Sequence, residues 1–387
     1  MKMKTEMNKI KSGMIKLTLI ALVVSFAFYA CKDDDDDAMP SIKNFRVVEK
    51  DSSITAGAFG LYIAIQGSNL QSVKEVWFND VKAFINPNFV TSSNIICAVP
   101  SKLPGELLNK VRLVTKSGKE FSTDFKVDLP KPIVKGLYNE MAAPGSTTKV
   151  LGDYLFFIKS VKIGDLNAEI LAQSEHATTI KIPDGAQPGS LITVEGDGGT
   201  SVAIAKYRDE GVWLADFDQP GTTWFSTWCW GSWMNDFRED EQSINKKYGF
   251  IERELKENEE YISSTCGNYP TKVNKMDLTG KVLKFEVKAN EPWVWTDNLK
   301  AEEHATFSVA INEMWDKSFN FRPQEWTEYK TTGFKTNDWM TVTVPLSVMG
   351  ITGVTTIDNL RLTFKPNKQA YNKFSTYFDN FRICTPN

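Results

Sequence analysis

The chain has 387 residues, with 45 Lys and Arg against 48 Asp and Glu, which gives a formal net charge of −3. Without residues 1–30, which hold five lysines and one glutamate, the charge becomes −3 − 5 + 1 = −7. No basic cluster stands out, so a nucleic-acid partner is excluded. The cysteines after Cys31 form no CxxC or Cys/His cluster, which argues against a zinc site and a dense disulfide framework.

Residues 1–30 predict an export signal. Five lysines precede an apolar stretch, Leu17 to Ala30, that is too short to remain in a membrane as a spanning helix. It ends Phe28-Tyr29-Ala30-Cys31, which resembles the lipobox of bacterial lipoproteins, although Phe28 and Tyr29 are bulkier than usual. This resemblance implies that Cys31 is the acylated first residue of the mature protein and anchors it in lipid. The alternative is an ordinary signal peptide with an incidental cysteine.

An acidic segment, residues 31–38, follows the signal and is predicted to be a flexible linker. Lys32 and the run Asp33 to Asp37 form a block of charge that has no means of building a core. Lys followed by acidic residues directly after the cysteine also resembles the lipoprotein export signal of Bacteroidetes. That resemblance implies an outer-membrane lipoprotein that faces the cell exterior.

The remaining chain of about 355 residues is predicted to be all-β and to form two or three domains. Short alternating or apolar runs are separated by Gly, Pro, Asn and Asp at the spacing of β-sandwiches. The clearest runs are Leu61 to Ile65, Val73 to Phe78, Val111 to Val114, Leu283 to Val287, Phe307 to Ile311, Met340 to Val344 and Leu360 to Phe364. One Glu/Lys-rich stretch, residues 251–261, predicts an exposed helix.

An internal repeat organises the first half. The segment that begins Gly67-Ser68-Asn69-Leu70 recurs from Gly152, 85 residues later (152 − 67), and Pro100 corresponds to Pro183, 83 residues later (183 − 100). The repeat predicts two copies of one small domain, residues 39–129 and 130–208, each entered through prolines that stiffen the linker.

The Gly-x-x-Leu turn, the Asn-Asp or Gly-Asp hairpin turn and the strand that ends in proline resemble the IPT/TIG immunoglobulin-like family over residues 39–207. In lipoproteins such domains act as spacers, and the resemblance implies a positioning role here. The alternative is a ligand site in either copy. Trp77 is the only tryptophan in the two copies, and its alternating strand favours a packed ring.

Ten of the eleven tryptophans lie after residue 212, in the predicted C-terminal domain, residues 209–387. Its predicted strands are 212–217, 282–289, 306–312, 339–346, 359–365 and 377–383. The runs 278–287, 339–346 and 378–383 resemble jelly-roll carbohydrate-binding modules. The order of lipoprotein signal, Ig-like repeats and Trp-rich β-sandwich resembles the surface glycan-binding proteins of Bacteroidetes polysaccharide-utilisation systems.

Aromatic side chains predict where a sugar binds, because a pyranose packs its C–H face on an aromatic ring while its hydroxyls need donors and acceptors. Trp293 and Trp295 follow the strand 282–289 in a loop, and their spacing aims both rings the same way, so they form either a platform or part of the core. Trp326 and Arg322, in a loop over residues 319–326, are the second candidate site.

Three further tryptophans are candidates for sugar contact. Trp315 lies in a turn after a strand whose Ser308, Ala310 and Asn312 leave room on its outer face. Trp228 and Trp230, within the cluster 224–233, share a face and either line a groove or clamp a loop onto the sandwich. Trp339 opens a strand and is predicted to pack in the core.

No cofactor is predicted, apart from the option of a structural calcium. Jelly-roll modules bind this ion through carboxylates of their first and last strands, which correspond here to Asp216, Asp218 and Asp379. Aspartate is also common at strand ends without an ion. A disulfide between Cys229 and Cys266 is a further option in an oxidising compartment.

The predicted function is that of a non-catalytic cell-surface glycan-binding lipoprotein that captures a polysaccharide, a neutral β-glucan or plant cell-wall glycan, for an outer-membrane glycan transporter complex. One alternative is a surface glycoside hydrolase or lyase, which needs two placed carboxylates. Those available are Glu302, Glu303, Glu313 and Glu325, beside a lone His304. The second alternative is an adhesin that binds host protein through its Ig-like domains.

Overall fold

A computed structural model describes residues 38–50, 52–218, 237–254, 273–312, 317–365 and 373–385. Regular structure within these ranges consists of β-strands and short 3-10 turns, which confirms the all-β prediction. None of the described helical turns has the length and apolarity to cross a membrane. The chain divides into two compact units, residues 1–130 and 131–387.

The first unit contains one immunoglobulin-like sandwich. Its strands are β1 (Ser41–Val47), β2 (Ser53–Ile54), β3 (Ala56–Ala58), β4 (Tyr62–Ser68), β5 (Val73–Phe78), β6 (Val81–Lys82), β7 (Ile85–Val90), β8 (Asn94–Ala98), β9 (Lys110–Thr115), β10 (Glu120–Asp124) and β11 (Lys126–Asp128). Two sheets, β2-β1-β4-β8-β7 and β10-β9-β5-β6, enclose the core, and β11 pairs with β3. Alternation along β5 buries Val76 and Phe78 and leaves Trp77 half-buried on the outer face beside Arg112. Cys97 is buried in β8.

The second unit begins with a sandwich of the same topology. Its strands are β12 (Ile133–Leu137), β13 (Thr147–Asp153), β14 (Ile158–Ile163), β15 (Leu166–Gln173), β16 (Ala177–Lys181), β17 (Leu191–Gly196) and β18 (Gly199–Lys206). The order β12-β13-β16-β15 repeats β1-β4-β8-β7, and β18-β17-β14 repeats β10-β9-β5. The two predicted copies therefore share one fold.

Equivalent glycines explain why the repeat is visible in the sequence. A Cβ atom on Gly67 would lie 1.8 Å from the carbonyl oxygen of Ser41, and one on Gly152 would lie 1.9 Å from that of Ile133. Only glycine allows the paired backbone to come this close. Three residues further on, Leu70 and Leu155 are both fully buried, so the Gly-x-x-Leu turn serves the same packing in each copy.

The C-terminal sandwich completes the second unit. Its strands are β19 (Val212–Ala215), β20 (Gly249–Glu254), β21 (Val273–Asp277), β22 (Val282–Ala289), β23 (Thr306–Ile311), β24 (Ser318–Phe321), β25 (Met340–Pro345), β26 (Val354–Ile357), β27 (Leu360–Lys365) and β28 (Lys373–Cys384). The sheet β19-β28-β22-β25, with β20 also paired to β28, packs against the sheet β24-β23-β27, while β21 pairs with β26. Stacked rings join the sheets, as with Phe307 and Phe378, whose centroids are 3.8 Å apart.

Two secondary-structure predictions in this sandwich are wrong. Residues 251–254 of the segment predicted as an exposed helix belong instead to β20, where pairing with β28 buries Ile251 completely, and residues 255–261 lie outside the described residues. The predicted loop over residues 319–326 begins with strand β24, which pairs with β23. In both segments, tertiary pairing outweighs the local residue preferences.

A cluster of buried charges joins the second Ig-like sandwich to the C-terminal one. Lys284 Nζ donates to both carboxylate oxygens of Glu140 at 2.9 and 3.0 Å. Arg382 Nη2 donates to Glu140 at 3.2 Å, and Lys284 also lies 3.4 Å from Asp209. Next to the charges, the backbone N–H of Thr341 donates to the carbonyl oxygen of Tyr138 at 2.8 Å. Lys284 lies on the face of β22 that points away from the core of its own sandwich. The Ig-like sandwich covers this face, and its carboxylates pair with the buried ammonium group.

Candidate functional site

Two loops lie side by side at one end of the C-terminal sandwich. The first, residues 290–305, joins β22 to β23, and the second, residues 322–339, joins β24 to β25. Backbone hydrogen bonds between Trp293 and Phe334, at 2.9 and 2.8 Å, hold the loops together. Gln324 Nε2 adds a bond of 2.8 Å to the carbonyl oxygen of Ala305. The loops therefore form one continuous surface.

Trp293 is part of the core below this surface. Its side chain has 0% exposure, and its Nε1 donates to Thr376 Oγ1 at 2.8 Å. The ring packs edge-to-face against Phe321, Phe364 and Phe374. The prediction of Trp293 as a sugar platform is wrong, because the bridge to Phe334 turns the ring inward and leaves no face for a ligand. The bridge to Phe334 is isolated, and the ring of Trp295 lies in a different, partly exposed environment.

Trp295 is half-buried and rests on a buried histidine. Its ring stacks on that of His304, with centroids 3.9 Å apart and planes 8° from parallel. His304 is fully buried: its Nε2 accepts the N–H of Thr296 at 3.1 Å, and its Nδ1 lies 3.0 Å from the carbonyl oxygen of Lys300. These partners require a neutral imidazole with its proton on Nδ1. The imidazole fixes the plane of the indole and supports one of its faces.

Two further contacts fix the edge and surroundings of the Trp295 ring. Nε1 donates to Asp297 Oδ1 at 2.9 Å. The ammonium group of Lys330, from the second loop, lies 5.1 Å from the ring centroid, within cation–π range. The first loop therefore carries the ring, and the second loop contributes a cation beside it.

Trp326 lies in the second loop with one side on the core. It meets Phe321 and Phe334 edge-to-face at centroid distances of 5.8 and 6.2 Å, and Tyr329 lies 6.1 Å away. The ring is half-buried, so packing orients it while part of its surface stays open to solvent. Such an anchored, partly exposed indole has little side-chain entropy left to lose on binding.

Arg322 connects the two loops. Its Nη1 donates to the carbonyl oxygen of Ala301 at 2.6 Å and lies 2.8 Å from Glu325. Arg322 Nη1 is thus already engaged by groups of the two loops. The geometry assigns Arg322 first to holding the loops in register, and donation to a sugar hydroxyl remains a prediction.

Residues 207–385 match the sequence model of the surface glycan-binding protein B xyloglucan binding domain. The C-terminal sandwich therefore resembles a surface glycan-binding protein B domain and is called the SGBP-B domain below. Residues 50–127 match the IPT/TIG domain, which confirms the resemblance of the first sandwich to that family. The resemblance of the chain to surface glycan-binding proteins of Bacteroidetes is confirmed.

Individual relatives are distant or partial. An IPT/TIG domain-containing protein of Bacteroides ovatus is 31% identical over 157 residues, which cover 38% of this chain and 32% of that protein. The chain thus matches about a third of that relative's length. The crystal structure of surface glycan-binding protein PbSGBP-B from Prevotella bryantii has a TM-score of 0.62 and 21% identity, covering 91% of this chain and 100% of that one. An SGBP-B from a complex xyloglucan utilization locus in Bacteroides uniformis has a TM-score of 0.51 and 19% identity, with 90% and 100% covered. Both show the same fold.

Some predicted residues of the SGBP-B domain lie outside the described residues: Trp315, Trp228, Trp230, Cys229 and Cys266, as does Cys31 at the N-terminus. The prediction of an open outer face on β23 is wrong, since Ser308 and Ala310 are 9% and 3% exposed. Ser308 Oγ donates to Asn320 Oδ1 of the neighbouring strand at 2.6 Å. Trp339 is 3% exposed, in agreement with its predicted packing role.

Of the aspartates proposed for calcium, Asp379 lies near the middle of β28, where it pairs with Glu286 of β22. Asp218 Oδ1 accepts the N–H of Lys247, and Asp216 Oδ1 accepts that of Asp218. Burial raises the pKa of Asp379 well above its usual value, and the negative charges of Glu286, Asp218 and Asp216 add to this. No group of three His, Cys, Asp or Glu in the described ranges is arranged to hold a metal ion. Asp379 Oδ2 is buried and has no hydrogen-bond partner among the described residues, and the calcium site stays a prediction.

Sequence reasoning missed two features of the SGBP-B surface. His304 stands alone in the sequence, and nothing in its neighbours indicates that it supports Trp295. Tyr329 and Lys330 come shortly after the predicted loop, and no sequence motif there indicates that they contact the tryptophans. Loop folding alone brings these side chains to the tryptophans, so no sequence spacing marks them.

Proposed function

We propose that this protein is a non-catalytic glycan-binding protein that captures a neutral polysaccharide at the cell surface. The supporting observation is the half-buried ring of Trp295, held flat on the buried His304 in a domain that matches a glycan-binding family. A ring fixed in this way presents a preoriented apolar plane for the C–H face of a pyranose. Trp326, in the adjacent loop, supplies a second aromatic contact.

The ligand we propose is a β-glucan of the xyloglucan type. The matching family is described as xyloglucan binding. Arg322 pairs with Glu325, and the Trp295 and Trp326 rings offer apolar planes that do not require a charged sugar. Flat aromatic planes suit the extended, neutral backbone of such a glucan.

The available carboxylates favour binding over hydrolysis. A glycosidase needs an acid and a second carboxylate on either side of the scissile bond. Glu303 Oε2 instead accepts the N–H of Lys300 at 2.9 Å and caps its own turn, while Glu325 is paired with Arg322. Glu313 lies outside the described residues. Neither Glu303 nor Glu325 is held as an acid over an open aromatic surface.

The cellular setting that we propose is an outer-membrane lipoprotein facing the exterior, anchored through acylated Cys31 and working beside a glycan transporter complex. The lipobox-like residues and the acidic segment after Cys31 support this proposal. A Cys31→Ala protein should lose lipid labelling and leave the membrane fraction. Retention at the cell surface would contradict the anchor without affecting the glycan proposal.

Native affinity gels with a panel of polysaccharides test the binding function. We expect retardation by xyloglucan without release of reducing sugar. Trp295→Ala combined with Trp326→Ala should abolish retardation, and Trp77→Ala in the first domain is the matched control that should retain it. Release of product would favour the hydrolase or lyase. Indifference to every glycan, with binding to a host protein, would favour the adhesin.

A further inference from the structure

A cleft lies where the second Ig-like sandwich meets the C-terminal sandwich, and we name it the junction cleft. Its volume is about 340 Å³, within the range of ligand pockets. Tyr138, Thr147 and Lys149 line it from the Ig-like side, and Tyr329, Lys335 and Asn337 line it from the other side. The cleft thus has two aromatic rings and several hydrogen-bonding groups.

The junction cleft continues the aromatic surface of the two loops. Tyr329 belongs to the cleft, and its ring lies 6.1 Å from that of Trp326. The next residue, Lys330, lies over the ring of Trp295. One short segment of the second loop therefore contacts both tryptophans and one wall of the cleft, so a chain-like ligand on the tryptophans is directed towards the cleft.

The phenols of the cleft are suited to hydrogen bonding with hydroxyl groups. Burial raises the pKa of Tyr138 to about 12, with smaller contributions from Tyr329 and Asp338. Burial also raises the pKa of Tyr329, helped by Glu328. Both groups stay neutral and keep a proton to donate at any pH at which the protein works. Lys149 lies 5.8 Å from the centroid of the Tyr138 ring and adds donors beside it.

The two walls are held in a fixed relation. The carbonyl oxygen of Tyr138 accepts the N–H of Thr341, and two residues later Glu140 enters the buried charge cluster through Lys284 and Arg382. The backbone of Glu140 is also held in place, because its N–H donates to Thr341 Oγ1 at 2.9 Å. A ligand that enters the cleft does not have to bring the two domains together first, which lowers the entropic cost of binding.

We propose that the second Ig-like domain is part of the glycan site: the junction cleft binds sugar residues of the same neutral polysaccharide whose neighbouring residues lie on Trp295 and Trp326. This inference rests on the proposed function and changes the expected role of the domain from a spacer to one wall of the binding site. It also makes the length of the oligosaccharide a determinant of affinity.

The test measures the affinity of the full mature chain for xylogluco-oligosaccharides of increasing length by calorimetry. Thr147→Arg blocks the rim of the cleft from an exposed position, and Tyr138→Phe removes one hydroxyl while keeping the ring. Tyr154→Ala changes an exposed tyrosine beyond the far end of the same strand as Thr147 and serves as the matched control. Thr147→Arg should weaken binding of long ligands about ten-fold, the loss of one good aromatic or hydrogen-bonded contact. The shortest ligand should bind all variants equally.

Two results would overturn the inference while leaving the proposed function intact. In one, wild type and Thr147→Arg bind long ligands equally well. In the other, short and long ligands lose the same affinity, so that the cleft is no separate subsite. If the wild-type protein binds none of the oligosaccharides, the proposed function fails and the inference fails with it.

Discussion

The guanidinium of Arg382 binds the carboxylate of Glu286 through two hydrogen bonds, of 2.8 Å from Nη1 and 3.0 Å from Nη2, and neither side chain has exposed surface. The same guanidinium reaches Glu140 in the second Ig-like sandwich. Such two-pronged pairs are geometrically demanding. Arg382 therefore links the central strand β28 to its neighbour β22 and to the adjoining domain at once.

Removing this arginine should be costly. Arg382→Met leaves Glu286 buried without its main partner, and we expect the free energy of unfolding of the second unit to fall by about 3–5 kcal/mol. Urea denaturation measures this change. Lys159→Met, which breaks the exposed pair with Asp197, is the control and should cost less than about 1 kcal/mol. Equal effects for both variants would show that the cluster does not hold the unit together.

Asp379→Asn should stabilise the C-terminal domain at neutral pH. Asp379 has a folded-state pKa raised mainly by burial, so the folded state holds its proton more tightly than the unfolded state. The stability contributed by this proton is complete below the unfolded pKa of about 4 and is lost as the pH rises through the folded value. The amide cannot ionise, so the variant should gain at least about 1 kcal/mol over wild type near neutral pH.

The pH profile and a chelator check this prediction. Urea midpoints should differ more between wild type and Asp379→Asn near neutral pH than below about pH 3, where the wild-type carboxyl is protonated in both states. A calcium ion bound at Asp216, Asp218 and Asp379 would reverse the sign, because the variant would then be less stable and a chelator would destabilise the wild type.

Alanine substitutions at Trp293 and at Trp295 should have opposite effects: the first should lower the stability of the fold, and the second should lower glycan affinity. Trp293→Ala removes a fully buried indole, and we expect a loss of about 3–5 kcal/mol in the free energy of unfolding. Trp295→Ala should leave the fold within about 1 kcal/mol of wild type and weaken glycan affinity about ten-fold. Chemical denaturation and calorimetry on the same samples measure both quantities. Full affinity in folded Trp295→Ala would remove this ring from the site.

Arg322→Lys tests whether the two loops must be held in register. Lysine keeps the charge but cannot reach the carbonyl oxygen of Ala301 and Glu325 with one planar group. We expect a loss of about 1 kcal/mol in binding, together with faster amide exchange in residues 295–304. Weaker binding with unchanged exchange would instead indicate that Arg322 touches the sugar directly.

The sequence predicts well those parts of the fold that depend on alternation or on obligatory glycine. Val282 to Ala289 is predicted to the residue, since its core-facing side chains alternate, and the repeat is visible because Gly67 and Gly152 meet the same backbone constraint. The charged side chains of β22 show the limit of this approach. Alternation places Lys284 on the non-core face, where water is the usual neighbour, and only the tertiary structure shows that a second domain covers it.

The candidate site is predictable in its residue types and less so in its geometry. Trp295 and Trp326 lie in the loops expected of them, but Trp293 and Trp295 do not share one environment, because the bridge to Phe334 lies beside a Trp293 ring that is buried in the core. His304 and Tyr138 have no local signal at all. One reaches Trp295 by folding of a loop, and the other reaches Tyr329 from a different domain.

The position of β28 in its sheet has a consequence for biosynthesis. This strand is the last in the described chain, yet it pairs with β19, β20 and β22 and so holds the middle of the sheet. Pairings that span so much of the sequence form late and slowly. Until residues 373–384 emerge from the ribosome, the earlier strands present unpaired edges. The C-terminal sandwich therefore exposes strand edges that are prone to aggregation until its central strand is in place.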